Sequence, residues 1–406
     1  MKKKILFIST ANLTTNPRIS KEIKLAISLN YDVQFIGFNM NNWSDEIEKK
    51  HIETLKNTIT LYYINAGRKP FLPWFISSVT EIGLRKVFFL FTTSLKANAY
   101  ASNKRSFLLQ QWFQKNKPTA DLIVAHTLGA LYPVYQYAQN LKTDFAFDVE
   151  DYHPGEKIHN DINNEHQRRI FLLRQLLPFA KYISCAAPLI ELQIRRTILS
   201  DTISTHIFTV NNSFSQQEFI KPVLTDKEEK LNLVWFSQNI SFGRGLEIVL
   251  PMLEQFANKI TVTLIGNMDT HFYQSIVVQY ANFVQVLQPL SQTALHKKLA
   301  EYDIGLAIED ANADENRNIC LTNKIWSYYQ AGLYIIATNT KAQNKFITEN
   351  KQHGVIVNFS ENDFKKLFQE IIDSKDLIIS AKNKRHQTAI NDSWENETKK
   401  LIEVWK

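Results

Sequence analysis

Two adjacent residues, Asn323 and Lys324, stand where a helix is predicted to begin, and their types suit the binding of phosphate. An apolar run at 304–308 predicts a strand, and a polar loop separates it from this helix, which is predicted to end at Gly332. A second strand is predicted at 334–337. In open α/β sheets, ligands bind where the carboxyl end of a strand leads into a helix, whose free N–H groups and positive dipole end favour anions. The spacing therefore predicts half of a site for a phosphorylated ligand.

The loop before this helix contains three further candidates for ligand contact, Glu309, Asn316 and Arg317. An alternative without any function stays open for the helix itself. Asn323 belongs to a residue type that is favoured as a helix cap, and Lys324 is then an ordinary solvated lysine of the first turn. Spacing alone does not decide between a ligand site and a simple helix start.

A second candidate contact with phosphate is Gly243-Arg-Gly245, which follows a predicted strand and precedes a predicted helix. Glycines let the backbone approach a ligand closely, and the guanidinium of Arg244 can bind two phosphate oxygens at once. The alternative is a surface turn with a solvated arginine. The chain has no G-x-G-x-x-G after its first strand, no P-loop motif and no G-x-S-x-G. Dinucleotide oxidoreductases, P-loop enzymes and serine or cysteine hydrolases are therefore disfavoured.

Polar residues also follow predicted strands in the first half of the chain. Asn16 and Arg18 lie at the start of the first helix, and Arg18 is expected to point into the mouth of a cleft. His126 ends a strand, where an imidazole can contact a sugar hydroxyl or transfer a proton. Glu150 and Asp151 follow the next strand and suit acceptor hydroxyls. An ordinary helix start and a structural histidine are the alternatives, and a metal site near these carboxylates has no firm ligand spacing.

The length of 406 residues predicts two or three domains, and 44% hydrophobic residues supply ample core. The two cysteines lack metal-type spacing, which fits a reducing compartment. The lysines at the start resemble a signal sequence, but the apolar run after them has only four residues, so we expect a buried strand there. No run reaches the ~18 apolar residues of a membrane span. We therefore expect a cytoplasmic protein.

Residues 68–117 concentrate the positive charge of the chain. They contain nine Lys or Arg and one acid, Glu81, and hence a net +8, whereas the whole chain has +7. Basic and aromatic residues interleaved on predicted helices suit the surface of an anionic membrane. Nucleic acid is a competing partner without a recognition motif, and a third interpretation places the aromatic residues in the core. The large apolar residues of this segment include Phe71, Leu72, Trp74, Phe75, Phe88, Phe89, Phe91, Phe107 and Trp112.

Strands and helices alternate in both halves of the chain, which predicts two α/β domains, each with a doubly wound parallel sheet. A polar stretch at 213–229 is a linker candidate, and the domains are expected at 1–215 and 216–387. A cleft between two such domains is a preferred place for a ligand. Strands are predicted at 4–10, 32–38, 58–64, 121–126, 144–149, 182–186 and 206–210, and then at 231–237, 260–266, 304–308, 334–337 and 355–358.

Five motifs, in this order and over nearly the whole chain, resemble those of retaining glycosyltransferases of the family 4 type. These enzymes have the GT-B fold, two Rossmann-like domains that face a central cleft. By this resemblance, residues 388–406 form a closing helix that crosses back to the first domain. The motifs are Thr15-Asn-Pro-Arg-Ile-Ser-Lys-Glu22, Asp121-Leu-Ile-Val-Ala-His126, Asp148 to Pro154, Gly243-Arg-Gly-Leu-Glu247, and Asn323-Lys-Ile-Trp-Ser-Tyr328 with Ala331-Gly332.

The resemblance implies transfer of a sugar from a nucleotide-sugar donor with retention of configuration, without a metal or other cofactor. Arg244 and Lys324 are expected to hold the diphosphate and to stabilise the charge on the leaving group. His126 and Glu309 are expected at the donor sugar. The remaining donor-binding candidates are Gly243, Asn316, Arg317, Asn323 and Ser327, and the acceptor-binding candidates are Asn16, Arg18, Glu150 and Asp151.

One departure from the family pattern concerns Ser327, which stands where many relatives carry the glutamate that holds the nucleotide ribose. The expected function is synthesis of a cell-surface glycan, with a polysaccharide or lipid-linked acceptor at the inner membrane face. A non-catalytic protein that binds a sugar nucleotide or a partner protein is one alternative, and a nucleotide-sugar 2-epimerase is another. No nucleic-acid partner is expected.

Overall fold

The structure, a computed structural model, describes residues 2–87, 93–161, 164–199, 205–224, 230–310, 313–358 and 360–406. The aromatic residues Phe88, Phe89 and Phe91 of the basic segment lie outside these ranges. The chain divides into two compact units: unit 1 comprises residues 1–210 and 400–406, and unit 2 comprises residues 211–399.

The central sheet of unit 1 contains β1 (Lys4–Ser9), β2 (Asp32–Asn39), β3 (Thr60–Asn65), β4 (Leu122–His126), β5 (Asp144–Val149), β6 (Tyr182–Cys185) and β7 (His206–Thr209). Its strand order is β3-β2-β1-β4-β5-β6-β7, and all pairs are parallel. Strands buried on both faces need continuous apolar runs, and β4 is buried along its whole length. At the carboxyl edge, Ser9 pairs with His126, and His126 with Asp148.

The helices that flank this sheet are α1 (Pro17–Ser28), α2 (Asp45–Leu55), α3 (Phe71–Lys86), α4 (Leu95–Ser102), α5 (Lys104–Asn116), α6 (Leu128–Leu141), α7 (Glu165–Leu176) and α8 (Pro188–Thr197). Local sequence explains the start of α1, because the side chain of Asn16 accepts a hydrogen bond from the Ile19 N–H and Pro17 occupies the first helical position. Ile19, Ile23 and Ala26 then form its buried face.

The sheet of unit 2 contains β8 (Leu231–Ile240), β9 (Ile260–Met268), β10 (Val284–Leu287), β11 (Ile304–Ala307), β12 (Tyr334–Thr338) and β13 (Gly354–Val357). It is also parallel, with the order β10-β9-β8-β11-β12-β13. Its helices are α9 (Leu246–Leu253), α10 (Thr270–Ser275), α11 (Gln292–Leu299), α12 (Glu315–Ile319), α13 (Asn323–Gln330), α14 (Lys341–Glu349), α15 (Glu361–Asp373), α16 (Lys375–Ser380), α17 (Lys382–Ala389) and α18 (Trp394–Glu397).

The two parallel α/β sheets confirm the fold class predicted from sequence. All twelve predicted strands are present, with ends shifted by at most three residues. The short edge strand β10, paired with β9 alone, was not predicted, and neither were the helices α2, α10, α12 and α14, of which α12 lies in the predicted polar loop. The expected linker is not loose over its described part, because Phe214 and Phe219 are buried in the core of unit 2.

Among the described residues, no helix combines the length and apolar character that crossing a bilayer requires.

The last helix, α19 (Lys399–Trp405), belongs to unit 1 except for its first residue. Trp405 is fully buried, and its indole N–H donates to the hydroxyl of Tyr182 at 2.7 Å. Its ring packs edge-on against Phe7 and Tyr31, with centroids 5.9 and 6.2 Å away. The carbonyl of Trp405 accepts a hydrogen bond from Lys3 Nζ at 2.7 Å. One aromatic side chain therefore joins the end of the chain to the central strands of unit 1.

We predict that Trp405→Ala lowers the free energy of unfolding of unit 1 by about 3–5 kcal/mol, because it leaves a large cavity and an unpartnered Tyr182 hydroxyl. Urea denaturation followed by circular dichroism measures the change. Leu377→Ala, at a side chain that is 72% exposed, is the control and should leave the unfolding curve unchanged. Equal stability of Trp405→Ala and wild type would contradict this account of α19.

Candidate functional site

A cavity of about 530 Å³ lies at the carboxyl edge of the unit 2 sheet. It is formed where β8, β11, β12 and β13 end and where α9 and α13 begin. This is the edge of a parallel α/β sheet at which ligands bind. The residues around it are Gly243, Arg244, Gly245, Glu247, Ile248, Ile308, Glu309, Asp310, Arg317, Lys324, Thr338, Asn339, Val357 and Asn358.

The turn from β8 into α9 requires both of its glycines. Gly243 and Gly245 have φ angles of +76° and +81°, and a Cβ atom on Gly245 would lie 2.5 Å from a methyl group of Ile308. The Oε1 atom of Glu247, in the first turn of α9, accepts a hydrogen bond from the Gly243 N–H at 2.7 Å. The turn is thus fixed while Arg244 between the glycines is exposed and lines the cavity.

Lys324 lies in the first turn of α13, and contacts with two neighbouring side chains keep its ammonium group at the cavity. Its Nζ lies 3.1 Å from Glu309 Oε1 and 5.0 Å from the ring centre of Trp235. The lysine and glutamate side chains are 13% and 18% exposed. Thr338 Oγ1 accepts a hydrogen bond from the Glu309 N–H at 2.8 Å, which fixes the loop after β11. The ammonium is therefore paired, largely desolvated and still open to the cavity.

Of three further residues of unit 2 that were predicted to contact the donor, one lines the cavity and two do not. Arg317 lines the cavity and lies 3.9 Å from Asp314, with 57% of its side chain exposed. Asn316 is buried on α12, and Asn323 is exposed, with Oδ1 accepting a hydrogen bond from Asn212. Neither of these asparagines lines the cavity.

Ser327 lies on the buried side of α13, and its hydroxyl is 3.1 Å from His296 Nε2. The other ring nitrogen of His296 lies 2.8 Å from Glu218. The serine hydroxyl therefore already has a partner inside unit 2, and its expected contact with a donor stays a prediction.

Of the predicted donor contacts, the structure brings together Gly243, Arg244, Glu309, Arg317 and Lys324 around one cavity. Sequence reasoning missed the positions that hold them in place. Glu247 fixes the glycine turn, Thr338 fixes the loop of Glu309, and Trp235 lies beneath the ammonium of Lys324. A glutamate in the first turn of a helix was a usable signal for Glu247, whereas the other two contacts arise only from the tertiary fold.

In unit 1, a second polar cluster joins α1 to the ends of β4 and β5. The guanidinium of Arg18 donates from Nε and Nη2 to the two oxygens of Asp148, at 2.7 and 2.9 Å. His126 lies between Glu22, at 3.3 Å, and Asp148, at 3.5 Å. All four side chains are fully buried. The expectation that Arg18 points into the mouth of a cleft therefore does not hold for this structure, because its charge is used to balance Asp148.

The charges of this cluster control its protonation. Burial alone would lower the pKa of His126, but Glu22 and Asp148 together raise it above its usual value. Burial would raise the pKa of Asp148, yet the charges of Arg18 and His126 lower it. A protonated His126 gives the cluster two positive and two negative charges. With both carboxylates ionised, the cluster is therefore neutral when His126 is an imidazolium.

The sequence predicted no separate role for Glu22, although its position four residues after Arg18 puts both on one face of α1. One ligand atom each from Glu22, His126 and Asp148 lies within 4.8 Å of the others, which a metal ion could use. Arg18 disfavours such an ion, because its guanidinium already binds both oxygens of Asp148.

The other predicted acceptor contacts lie near this cluster. Burial, followed by the charges of Asp151 and Asp148, raises the pKa of Glu150 to about 7. Asp151 is partly buried beside it. Asn16 caps α1 with its oxygen, and its buried Nδ2 has no hydrogen-bond partner among the described residues. The roles of these residues and of Arg18 toward an acceptor stay predictions.

Solved structures resemble this chain over nearly its whole length, including the following three. A glycosyltransferase from Rickettsia africae has a TM-score of 0.66 and 14% identity, with 100% of this chain and 98% of that chain covered. Alr3699/HepE from Anabaena, in complex with UDP, has a TM-score of 0.66 and 14% identity, with 100% and 99% covered. The lipopolysaccharide outer core galactosyltransferase WaaB has 0.61 and 12%, with 99% of both chains covered. No family model and no curated protein matches the sequence. The chain has the GT-B fold of these structures.

We predict that the stability of unit 1 falls as pH rises above about 6.5, because loss of the His126 proton leaves a net negative charge in the buried cluster. The pKa of His126 is raised in the folded state, so its stabilisation is complete below the unfolded-state pKa and is lost as pH rises through the folded-state value. Urea titrations between about pH 6 and 9 measure this slope. His126→Gln keeps a polar side chain without the proton and should remove this part of the slope; identical slopes would refute the assignment.

Proposed function

We propose that the protein is a glycosyltransferase that moves a sugar from a nucleotide-sugar donor to a glycan or lipid-linked acceptor. The observation that carries this proposal is the cavity of unit 2, where Arg244, Arg317 and Lys324 lie at the carboxyl edge of a parallel sheet. The starts of α9 and α13 add the positive ends of two helix dipoles. The GT-B fold is a further support, because HepE has this fold and was solved with UDP and with UDP-glucose.

The proposed donor places its diphosphate between Arg244 and Lys324. Arg244 has no ion pair among the described residues, so its guanidinium is available for two phosphate oxygens. Lys324 is paired with Glu309 at 3.1 Å, and a diphosphate would take over its ammonium. The carboxylate of Glu309 is then free to accept hydrogen bonds from hydroxyl groups of the donor sugar. Gly243 allows close approach of the backbone to the phosphates.

In the proposed reaction, the bond from the anomeric carbon to the diphosphate oxygen breaks, and the nucleoside diphosphate keeps the electron pair. The acceptor oxygen bonds to the anomeric carbon, and its proton passes to the departing diphosphate. Arg244 and Lys324 stabilise the negative charge that builds on the leaving group, a contribution of the kind that often dominates catalysis. We propose that these two cations take the role that a divalent ion has in other transferases, so that no metal is required. We propose retention of configuration because the motifs of the sequence resemble those of retaining enzymes.

The ribose is not assigned to Ser327, whose hydroxyl is hydrogen-bonded to His296. This observation favours a second candidate, a GT-B protein that binds a sugar nucleotide without transferring the sugar. Both candidates predict donor binding, and only the first predicts turnover. Release of free sugar or nucleoside diphosphate from the bound donor distinguishes them.

The proposed acceptor is lipid-linked or a polysaccharide, and the proposed place of action is the cytoplasmic face of a membrane, in the synthesis of a cell-surface glycan. The basis is the charge of residues 68–117, nine Lys or Arg against one acid. An anionic membrane surface attracts such a segment.

We predict that a panel of nucleoside diphosphates and nucleotide sugars contains a ligand that raises the melting temperature of the protein. With that donor, Arg244→Ala or Lys324→Ala should lower turnover by about 10²-fold, because each removes a charge that stabilises the leaving group. Calorimetry checks the first outcome, and release of nucleoside diphosphate checks the second.

The matched control is Lys297→Ala, which removes an exposed lysine of α11 outside the cavity and should leave turnover unchanged. The melting temperature of the Arg244 variant without ligand should stay close to that of wild type, whereas that of Lys324→Ala should fall, because Glu309 loses its counterion. Transfer at the wild-type rate by both variants would overturn their assignment. Donor binding without turnover in wild type would favour the non-catalytic candidate.

A further inference from the structure

Helix α3 (Phe71–Lys86) presents its apolar side chains to solvent. Six of them are between 40% and 64% exposed: Phe71, Leu72, Phe75, Ile76, Val79 and Ile82. At 100° per residue they fall within an arc of about 140°. Six neighbouring exposed apolar side chains on one 16-residue helix differ from the scattered single residues that normal surfaces show. We call this arc the apolar face of α3.

The opposite side of α3 packs against the protein and carries polar side chains beside the partly buried Trp74 and Leu84. Ser77 is the one buried residue of the helix, and its hydroxyl donates to the carbonyl of Trp74. Glu81 accepts a hydrogen bond from the N–H of Lys104, and Arg85 donates to the carbonyl of Ala101 at 2.7 Å. A helix on the surface of a soluble domain normally buries its apolar stripe. In α3 six large apolar side chains face solvent instead, and the hydrogen bonds of Glu81 and Arg85 hold the helix in that orientation.

The apolar surface continues beside α3 into a groove of about 490 Å³ between α3, α4 and α5. Val79 belongs to both the apolar face and the groove, and Leu84, Tyr100 and Phe107 line the rest with their apolar parts. Gly83 leaves the groove open, since no atom lies within 4 Å of the position of a Cβ there. The apolar face and the groove together offer a continuous surface for hydrocarbon.

Exposed cations surround this surface. Arg68 and Lys69 precede α3, Lys86 ends it, and Lys96 lies at the groove. The one acid of the segment, Glu81, faces the protein and is paired with Arg85 at 3.1 Å. Apolar side chains suit the acyl-chain region of an anionic bilayer, and the cations that flank them suit its headgroup region.

We propose that α3 lies in the interface of an anionic lipid bilayer, with its apolar face among the acyl chains and its flanking cations on the headgroup phosphates. The proposal assigns the membrane contact to one helix and one orientation. It deepens the proposed lipid-linked acceptor, and it rests on unit 1 alone, so that vesicle binding is measured without any sugar donor. A protein without transfer activity can still bind vesicles, and a protein that does not bind vesicles can still transfer a sugar. The two proposals therefore fail independently.

Co-sedimentation of the full chain with vesicles tests the proposal. Wild type should bind vesicles of phosphatidylcholine with phosphatidylglycerol, and more weakly those of phosphatidylcholine alone. Leu72→Asp/Val79→Asp should lower the partition coefficient by about tenfold or more, because two charges must then enter the acyl region. The matched control is Leu377→Asp/Val223→Asp, with the same charge change at side chains of unit 2 that are 72% and 52% exposed, and it should bind as wild type does.

Sedimentation velocity tests a second occupant of the apolar face, another copy of this chain. If wild type is a dimer without vesicle binding, and Leu72→Asp/Val79→Asp converts it to a monomer, the membrane proposal is overturned. Equal vesicle binding by wild type and this variant overturns it as well. Circular dichroism of both double variants should match wild type, because all four side chains are exposed.

Discussion

Parallel pairing of the described strands is the constraint on which both polar clusters depend. It brings the carboxyl ends of all strands of a sheet to one edge, where the following helices begin with free N–H groups. In unit 2 this edge collects Arg244 from the turn after β8 and Lys324 from the start of α13. In unit 1 the same edge aligns His126 and Asp148 in register and allows α1 to reach them through Arg18 and Glu22. Residues distant in sequence thus meet because their strands end together.

Sequence reasoning recovered this framework because periodicity and strand-end position are local properties. The helix expected to begin at Asn323 and Lys324 begins at Asn323, with Gly332 in the left-handed region after its end. What it could not recover depends on packing. Arg18 looked like a loop cation, but the buried charge of Asp148 draws it inward. Strand β10 has four residues and pairs only with β9, so its own sequence carries little signal. Ser327 was expected beside a ligand, and only the fold places His296 against it.

The basic and aromatic segment at 68–117 shows the same limit of sequence reasoning. Its composition indicates a surface for a partner but does not tell which of its aromatic side chains face solvent. The interpretation that the aromatic residues belong to the core holds for Phe113, which is buried and stacks on Tyr137 at 4.1 Å between ring centres. It does not hold for Phe71 and Phe75, which are 61% and 47% exposed. The count of nine cations does not distinguish the buried aromatic side chains from the exposed ones. For α3 the hydrogen bonds of Glu81 and Arg85 decide which side chains are exposed, because they fix the side of the helix that packs against the protein.

The pairing of Lys324 with Glu309 has a consequence for ligand selection under the proposed function. Lys324 and Glu309 are each other's counterions, so a ligand gains only the difference between its own contacts with them and the ion pair that it separates. Inorganic phosphate would bind the ammonium of Lys324 but would leave the largely desolvated carboxylate of Glu309 without its counterion. A molecule that carries phosphate and several hydroxyl groups at adjacent positions compensates both partners. The ion pair therefore favours a ligand with both phosphate and hydroxyl groups over a ligand that has only one of the two.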